Sequence, residues 1–430
     1  MRFIADLHLH SRFSRATSKD MTFDYLAYWA KAKGISLVAS GDFTHPEWFF
    51  LTKQKLEPCG NGFYRLKSLS PPANGFLKNL VLSKDDVSFI LSTEVSLVYS
   101  KKGKVRKIHL LVFAPDFESV EKINQRLAGL GNLQADGRPV LGLDAKIFLK
   151  MIIDLCPRCV VIPSHIWTPW FSLFGANSGF DSVEECFEEM TPFIFALETG
   201  LSSDPPMNWR LSSLDRYALI SNSDAHSPSR LGREANVFDT EFSYNGLVAA
   251  LKSRDPQRFL YTIEFFPEEG KYHYDGHRKC NVVFSPRESR KNNNICPRCG
   301  KKLTVGVLHR VEELADREPH QVPTNKIPYK NLIPLNEIIA EALGKSAECQ
   351  SVWEIYFRFI YEFGHEHRIL TEIPINELAR FQPEKISLGI DRMRKGLVHI
   401  EPGHDGFYGR ISLFPVEESK DSSEGQLSLF

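Results

Sequence analysis

The sequence lacks a long apolar run. No stretch approaches the roughly 20 uninterrupted apolar residues that a transmembrane helix requires. The first residues run directly into a short apolar strand followed by an acid and two histidines, which is not the pattern of a secretory signal peptide. We therefore expect no membrane partner and a cytoplasmic location.

An excess of charge is also absent, because 53 Lys and Arg balance 53 Asp and Glu. A chain with zero formal net charge has no overall attraction for nucleic acid, so any binding of that kind must use local basic patches. The 430 residues exceed what one ordinary core accommodates, and we expect two or three domains.

Cysteine is scarce, with eight residues, and it is unevenly placed. Clustered cysteines in a cytoplasmic chain favour metal binding over disulfides. Two ligand pairs separated by about fifteen residues predict a zinc finger or zinc ribbon that holds one zinc ion. The four ligands are His277, Cys280, Cys296 and Cys299. His273 and His309 are alternatives to His277.

The segment around these cysteines is basic. Between residues 278 and 302, eight Lys and Arg accompany a single acid, Glu288. This patch predicts salt-dependent contact with phosphates, and a solvated basic surface is the alternative. A second Cys-Pro-Arg-Cys sequence, at 156–159, has no matching pair nearby and is interpreted as structural, with a redox bridge as the alternative.

Short apolar runs alternate with amphipathic segments over residues 1–266. The predicted strands are 2–8, 35–40, 88–93, 107–113, 159–164, 193–197, 217–222 and 259–263. The predicted helices include 23–33, 116–130, 144–155, 181–190 and 244–253. This rhythm predicts an α/β domain, either a barrel or a layered sheet. Residues 53–87, rich in Gly and Pro, are expected to form an insertion or a long loop.

Histidine supplies the strongest functional signal. Six histidines lie in the first 272 residues, each beside the end of a predicted strand and most near a carboxylate. The candidate ligands are His8, His10, Asp42, His45, Glu94, His109, His165, Asp224 and His226. Strand ends at one rim of a barrel converge on one site. Nine such ligands exceed the four that one zinc takes, so we expect two or three divalent ions with Glu94 as a bridge. Such clusters activate water and hold phosphate esters.

This order of ligands resembles the PHP (polymerase and histidinol phosphatase) superfamily of metal-dependent phosphoesterases. The resemblance implies a distorted (β/α)7 barrel with zinc, or with manganese or magnesium. It implies one ion held by His8, His10, Glu94 and Asp224, and a second held by Glu94, His109 and His165. A third ion would use Asp42 or His45 together with His226. Members of the superfamily often carry another ligand shortly after the HxH pair, where this chain has Ser-Arg-Phe-Ser-Arg-Ala at 11–16.

The far end of the chain resembles a bacterial sliding-clamp-binding pentapeptide. It reads Gln426-Leu427-Ser428-Leu429-Phe430, with Gln426, Leu427, Leu429 and Phe430 as the clamp-binding residues. The polar residues 416–425 before it have the composition of a flexible tether.

Together these features resemble the endonuclease Q family, on the strings at 41–48, 198–205, 306–315 and 400–406. The resemblance implies a DNA-repair endonuclease that hydrolyses the phosphodiester 5′ to a deaminated base or an abasic site. Its partners would be damaged double- or single-stranded DNA and the sliding clamp. It implies a barrel at 1–266, a zinc module at 270–318, a helical DNA-binding domain at 319–412 and a tail at 413–430. The alternatives are a small-molecule phosphomonoesterase and a non-catalytic, clamp-tethered DNA-binding protein.

Four further residues are candidates for substrate contact. Arg12 follows the HxH pair and could meet a phosphate, and Trp167 and Trp170 follow His165 and could stack on a displaced base. Glu198 ends another predicted strand and could line the same rim. Asp6 is expected to orient one of the ligand histidines.

Overall fold

The protein is described from a computed structural model, which covers residues 1–70, 72, 75–83, 85–381 and 383–414. The strands are β1 Arg2–Asp6, β2 Leu37–Ala39, β3 Leu56–Pro58, β4 Tyr64–Leu66, β5 Ser88–Lys101, β6 Lys104–Ala114, β7 Val140–Leu141, β8 Val160–Pro163, β9 Ala196–Glu198, β10 Ala218–Ile220, β11 Ala235–Asp239, β12 Phe259–Glu264, β13 Asp275–His277, β14 Val282–Phe284, β15 Tyr329–Asn331, β16 His399–Glu401 and β17 Arg410–Ser412. The α-helices are α1 Phe23–Lys33, α2 Pro46–Lys55, α3 Phe117–Ala128, α4 Ala145–Leu155, α5 Val183–Phe187, α6 Pro205–Trp209, α7 Tyr244–Ser253, α8 Pro286–Lys291, α9 Val307–Leu314, α10 Leu335–Leu343, α11 Gln350–Phe363, α12 Glu366–Thr371, α13 Ile375–Leu378 and α14 Glu384–Arg394.

The strands curve around a central apolar core. β1 pairs in parallel with β2, and β2 pairs in parallel with β5. β5 and β6 form a long antiparallel hairpin, and β6 continues antiparallel to β8. β9 and β10 form a separate parallel pair, while β11 returns antiparallel to β1. The mixed α/β class is therefore confirmed, and the (β/α)7 count stays a prediction.

Apolar side chains fill the inside of this curved sheet. Alternate residues of β1, including Phe3 and Ala5, share one buried cluster with residues of β6, β8, β10 and β11. Helix α7 contributes Tyr244 and Leu247 to the same cluster. The Tyr244 hydroxyl donates to the carbonyl of Arg158, just before β8, so α7 covers the end of the barrel where β8 begins. The carboxyl ends of the strands lie at the opposite rim.

Local signals predicted several elements closely. α1 begins after Thr22 and ends at Gly34, whose φ of +87° is the left-handed cap that glycine adopts at little cost. The Asp144 side chain accepts a hydrogen bond from the backbone N–H of Lys146 and caps α4. Strands β5 and β6 are longer than the predicted strands 88–93 and 107–113, so the turn between them is confined to Lys102 and Gly103.

Other elements were not predicted. The segment 53–87, expected to form an insertion or a long loop, contains a hairpin of β3 and β4, and β4 also pairs with β5. Strand β11 was not predicted, because Asn236 interrupts its apolar pattern. Asn236 is buried nevertheless, and its side-chain amide bonds to Ser221 and Asn222 on the neighbouring strand end. A strand can therefore hold a buried polar residue when the hydrogen-bonding groups of that residue have partners.

The helical region after residue 330 packs against the barrel. Strand β15 pairs in parallel with β12 and so extends the main sheet. The Lys33 ammonium lies 2.5 Å from a Glu366 carboxylate oxygen in a buried ion pair, and the Tyr356 hydroxyl donates to the same carboxylate over 2.6 Å. The sequence-based domain boundaries stay a prediction. In the described ranges, no helix is long and apolar enough to cross a bilayer.

Candidate metal centre

The predicted ligands converge at the rim formed by the carboxyl ends of the strands. The HxH pair follows β1, Glu94 lies within β5, His109 lies within β6, and the others follow β2, β8 and β10. Asp42, His165 and Asp224 have positive φ angles of 46°, 27° and 47°. A non-glycine residue in this region is uncommon, and such residues gather at functional sites. Each one turns the chain sharply where a strand ends.

Glu94 stands between two groups of histidines. One of its oxygens lies 3.1 Å from His109 Nδ1 and 3.0 Å from His165 Nε2, and the other lies 3.3 Å from His10 Nε2. His8 Nε2 is 3.7 Å from the first oxygen. Two ligand atoms bound to one tetrahedral zinc, each about 2 Å from it, are about 3.3 Å apart. The observed separations therefore fit two ligand shells that share Glu94.

A third group contains His10, Asp224 and His226. The Asp224 Oδ1 atom lies 3.3 Å from His10 Nε2 and 3.6 Å from His8 Nε2. Among the described residues, His8 Nε2, His10 Nε2 and Asp224 Oδ1 are buried without a hydrogen-bond partner. Buried polar atoms are normally satisfied, and a divalent cation between these three would satisfy all of them. The residues thus fit a multinuclear metal centre.

Glu198 orients His8 and does not contact solvent. Its carboxylate accepts a hydrogen bond from the His8 ring at Nδ1, 3.0 Å away, which leaves Nε2 directed at the other ligands. It also accepts from the Asn222 amide and from the backbone N–H of His165, both over 2.8 Å. Glu198 is 0% exposed. The prediction that it touches substrate is therefore wrong, because it lies behind the ligands.

Asp42 orients the ring of His10 as Glu198 orients the ring of His8. Its Oδ1 lies 3.0 Å from His10 Nδ1, and its Oδ2 accepts from the Ser11 backbone N–H and the Ser14 hydroxyl. The prediction of Asp42 as a ligand needs correction, because its carboxylate contacts Nδ1 of His10, whereas the other ligands lie near Nε2. Ser14, in the segment that lacks the superfamily's usual ligand, also contacts His10 Nδ1 at 3.2 Å.

His45 is likewise outside the three groups. Its Nδ1 accepts the backbone N–H of Trp48 and caps α2, and its ring stacks on Phe13 with centroids 4.4 Å apart. The alternative that His45 completes a third site is therefore not supported by its position. Asp6 also differs from expectation, since its carboxylate bonds to the backbone N–H groups of His8, Ser223 and Gly232 and not to the ring of a ligand histidine. Burial raises the pKa of Asp6 to about 6.

The charges in the centre strongly perturb one another. Burial alone would lower the pKa of His8, but the carboxylates of Glu198, Glu94 and Asp224 raise it well above its ordinary value. Burial would raise the pKa of Glu94, but His109, Arg138 and His8 hold it well below its usual range. The pKa of His109 falls to about 4, chiefly because the ring is buried. Concentrated opposite charges of this kind are typical of functional sites.

Sequence reasoning missed Arg138 and Thr168. Arg138 precedes the short strand β7, and its guanidinium donates to Glu94 over 2.9 Å. The Thr168 hydroxyl lies 3.4 Å from His165 Nδ1. Arg138 stands in a turn with no periodic pattern, so nothing local marks it. Thr168 stands within the loop already singled out after His165, but its hydroxyl carried no signal of its own.

The candidate substrate residues have different environments. Trp167 is 1% exposed and its indole N–H donates to the Asn208 side chain, so the prediction that it stacks on a base is wrong. Trp170 is 41% exposed and lies edge-on to Tyr272. Arg12 is exposed, with its guanidinium over the Phe13 ring.

A cavity of about 680 Å³ opens beside the metal centre. Its lining includes Thr168, which contacts His165, and Arg233, which donates twice to the carbonyl of Ser223 just before Asp224. Its aromatic residues are Trp170, Phe265, Tyr272 and Tyr408, and its charged residues are Arg230, Arg233, Glu269, Lys271 and Glu337. Pockets of this size accommodate a small organic ligand.

The second candidate metal site lies in the cysteine-containing segment. His277, Cys280, Cys296 and Cys299 come together in one group, with Cys299 Sγ 3.5 Å from His277 Nδ1. Gly300, with a φ of +70°, ends the turn between the last two cysteines. Burial raises the pKa of the Cys296 thiol, but hydrogen bonds from the backbone N–H groups of Arg298 and Cys299 lower it to about 7. The alternatives His273 and His309 do not join this group, since His309 bonds to Asp275.

The clamp-binding candidates Gln426, Leu427, Leu429 and Phe430 lie outside the described residues.

Fold and site together define an α/β protein with a candidate multinuclear histidine–carboxylate metal centre. Residues 334–397 match the family model of the MJ0043 C-terminal domain. The protein MJ0043 of Methanocaldococcus jannaschii is 35% identical over 259 residues, which cover 58% of this chain and 32% of that protein, so the chain spans about a third of that relative's length. The protein YqxK of Bacillus subtilis is 28% identical over 423 residues, covering 95% of this chain and 99% of its own.

Solved structures match over nearly the whole chain. The crystal structure of the lesion-specific endonuclease PfuEndoQ from Pyrococcus furiosus has a TM-score of 0.82 and 32% identity, and the match covers 96% of this chain and 95% of that one. Endonuclease Q in complex with a 27-mer duplex that carries an abasic lesion has a TM-score of 0.81 and 32% identity, with 96% of both chains covered. The chain belongs to the endonuclease Q family.

Proposed function

We propose that the protein is a DNA-repair endonuclease that hydrolyses the phosphodiester 5′ to a deaminated base or an abasic site. The observation that carries this proposal is the rim where three overlapping ligand groups meet around Glu94, His10 and Asp224 beside an open cavity. The similarity to a lesion-specific endonuclease, and to one bound to a duplex with an abasic lesion, supports the choice of substrate.

Two or three divalent ions would occupy the centre, with zinc the first choice and manganese or magnesium the alternatives. The three groups that would hold them are His8, His10, Glu94 and Asp224; Glu94, His109 and His165; and His10, Asp224 and His226. Bound ions of this kind polarise a phosphate, activate water and stabilise the leaving oxygen. The unpartnered buried nitrogens of His8 and His10 support this assignment.

The chain's own residues prepare this chemistry. Glu198 accepts a hydrogen bond from Nδ1 of His8, and Asp42 does the same for Nδ1 of His10. The Nε2 atom of each ring is then free to donate its lone pair to a metal ion. Arg138 keeps a positive charge beside Glu94, where it can also meet a phosphate oxygen. His226 is only partly buried and stands nearest to solvent in its group, so it borders the path by which a phosphate enters.

DNA binding would use surfaces on both sides of the cavity. The cysteine-containing segment would hold one zinc ion through His277, Cys280, Cys296 and Cys299 and present its Lys and Arg residues to phosphates. The displaced nucleotide would enter the cavity, where exposed Trp170 can stack on it. The proposed helical DNA-binding domain and the terminal clamp-binding peptide would add contacts that tether the enzyme to replicated DNA.

The test is a nicking assay on end-labelled duplexes that carry uracil, hypoxanthine, an abasic site or only normal bases, with and without a chelator. We expect cleavage on the 5′ side of each lesion, no cleavage of the normal duplex, and loss of cleavage with chelator that added zinc or manganese restores. Cleavage of a phosphomonoester but of no DNA substrate would contradict the proposal.

A further inference from the structure

The last two candidate ligands of the chain lie in one loop, residues 223–233, which we call the ligand loop. The Asp6 carboxylate accepts the backbone N–H groups of Ser223 and Gly232, over 3.1 and 2.9 Å, and so joins the two ends of this loop. Asp6 is 0% exposed, so water does not compete for these hydrogen bonds. The base of the ligand loop is therefore fixed by the barrel.

The tip of the ligand loop is held by a different part of the protein, the helical region after residue 330. The tip is a short turn of 3-10 helix, Pro228–Arg230. The Arg230 guanidinium lies 2.8 Å from a carboxylate oxygen of Glu337 in α10 and 3.6 Å from one of Glu348. Within the described chain, residues 227–231 make no other hydrogen bond or ion pair outside the loop.

The helical region also packs directly on the base of the loop. Gly232 has a φ of +70°, and a Cβ atom there would lie 2.5 Å from Cδ1 of Ile35 and 3.1 Å from Nε2 of His367 in α12. His367 is 4% exposed, so this contact is buried. Glycine permits both the backbone angle and the close approach. Helices α10 and α12 thus contact the ligand loop at its tip and at its base.

The shape of the ligand loop decides where the His226 ring lies. The Nδ1 atom of His226 is 2.8 Å from the carbonyl oxygen of Asp224 and 3.6 Å from its Oδ1 atom, and both contacts lie within the loop. The same ring stands 4.8 Å, between centroids, from the ring of His10. Because His226 comes two residues before the turn, movement of the tip would carry its ring away from His10.

We propose that Glu337 is a positioning residue for the metal centre. Through Arg230 it holds the tip of the ligand loop, so that His226 completes the third ligand group. The helical region would then do more than contact DNA, since the third ion is bound tightly only while this region is docked on the barrel. The inference rests on the metal centre of the proposed function and deepens it, because it assigns control of one ion to residues outside the barrel.

The experiment withdraws zinc stepwise from the loaded full-length protein, in the absence of DNA, with a chelator of known affinity. The variant His226→Ala identifies the step that belongs to the third ion, because His226 is a member of that ligand group alone. Glu337→Gln should weaken this step about 2- to 30-fold, the range typical of residues that act through a packed network, and leave the other steps unchanged. Without DNA, a contact between Glu337 and substrate cannot produce this result.

The same helix supplies the matched control. Glu341 stands one turn after Glu337 in α10, and its carboxylate accepts the backbone N–H groups of Leu413 and Phe414. Glu341→Gln should therefore lower the Tm but keep every zinc step. Arg230→Gln and the double variant with Glu337→Gln should both weaken the third ion as much as Glu337→Gln alone, because the two residues act through one ion pair.

Two further measurements separate positioning from damage to the fold. At saturating zinc, hydrogen exchange of residues 227–231 should be faster in Glu337→Gln than in wild type and unchanged in Glu341→Gln. On a duplex with an abasic site, Glu337→Gln should need more zinc for half-maximal nicking but reach the wild-type kcat at saturating zinc. Zinc would not restore kcat to a protein whose fold is damaged.

Three results would overturn the inference. A third-ion affinity of Glu337→Gln within about twofold of wild type would show that the ion pair does not position the loop. Equal weakening in Glu341→Gln would show a general loss of stability. A wild-type protein without the step that His226→Ala removes would hold no third ion, and nicking of lesion-containing DNA would then still support the proposed function. Conversely, the expected zinc behaviour in a protein that nicks no DNA would refute the proposed function and leave the inference standing.

Discussion

The position of Glu198 makes the effect of Glu198→Gln predictable in detail. The carboxylate accepts from His8, Asn222 and the backbone N–H of His165, with one oxygen facing Asn222 and the other facing His165. A glutamine must place its NH2 group against one of these two donors. Asn222 cannot turn to accommodate it, because its carbonyl oxygen already accepts from Leu7 and Asn236.

Two costs follow from this substitution. One buried donor loses its acceptor, which costs about 1–3 kcal/mol of stability. His8 also loses the carboxylate that orients its ring, and loss of such a partner lowers metal affinity about 10- to 100-fold. That factor corresponds to about 1.4–2.8 kcal/mol of binding free energy. We expect both effects together, a lower Tm and a weaker ion at the His8 group.

The measurement combines zinc content after gel filtration, competition with a chelator of known affinity, and nicking rates at increasing zinc concentration. Glu198→Gln should bind zinc more weakly and regain nicking at high zinc. The matched control is Glu264→Gln. Glu264 is a buried acid that contacts none of the ligands, and burial raises its pKa to about 8. At pH 7 the substitution therefore replaces a neutral carboxyl group by a neutral amide. If Glu198→Gln lowers the Tm while its zinc affinity stays within about twofold of wild type, the orienting role is refuted.

Four other outcomes are expected. Asp224→Asn should abolish nicking of uracil-containing DNA, because it removes a ligand that two groups share. Circular dichroism should show that the variant is still folded, and retained nicking would contradict the metal assignment. Cys299→Ser should release one zinc per chain, measured by mass spectrometry, and weaken DNA binding or stability; an unchanged metal content would exclude that site. Removal of residues 426–430 should abolish binding to the sliding clamp in surface plasmon resonance but leave nicking of short duplexes intact, and unchanged clamp affinity would mark the terminal match as chance. Folding raises the pKa of Glu264 from its ordinary 4.5 to about 8, so between these pH values the folded state binds a proton that the unfolded state has lost. The stability of the protein should therefore fall as pH rises from about 4.5 to about 8. Glu264→Gln should flatten the plot of Tm against pH in this range, and an unaltered slope would show that Glu264 ionises normally.

Elements with strong local signals were predictable from the sequence. Helix α7 begins and ends at the residues predicted for the helix 244–253. Helix α4 follows Asp144, the first residue of the predicted helix 144–155, whose side chain caps it. Strand β11 was missed because its central Asn236 is satisfied only by residues from another strand end, which no local window contains. The hairpin of β3 and β4 was missed for a related reason, since its many Gly and Pro neighbours are typical of loops.

The candidate site was predictable in its members but not in their roles. Strand ends identified the residues, and the three ligand groups contain seven of the nine. The tertiary fold then decides which ring nitrogen a carboxylate contacts, and Asp42 contacts Nδ1 of His10, on the outer side of the ring. Trp167 shows a second limit, because the sequence does not reveal whether an aromatic residue in a loop faces solvent or a buried amide.

The pairing of β1 with β11 has a consequence for synthesis of the protein. Residues 2–5 bond to residues 236–239, and the candidate ligands extend from His8 to His226. The strand before the HxH pair finds β2 early, but its second partner, β11, is translated more than 200 residues later, a delay of roughly 10–50 s at ribosomal speeds of about 5–20 residues per second. A nascent chain still on the ribosome would hold isolated histidines but no complete centre, so a nuclease of this design stays inactive until its barrel has closed.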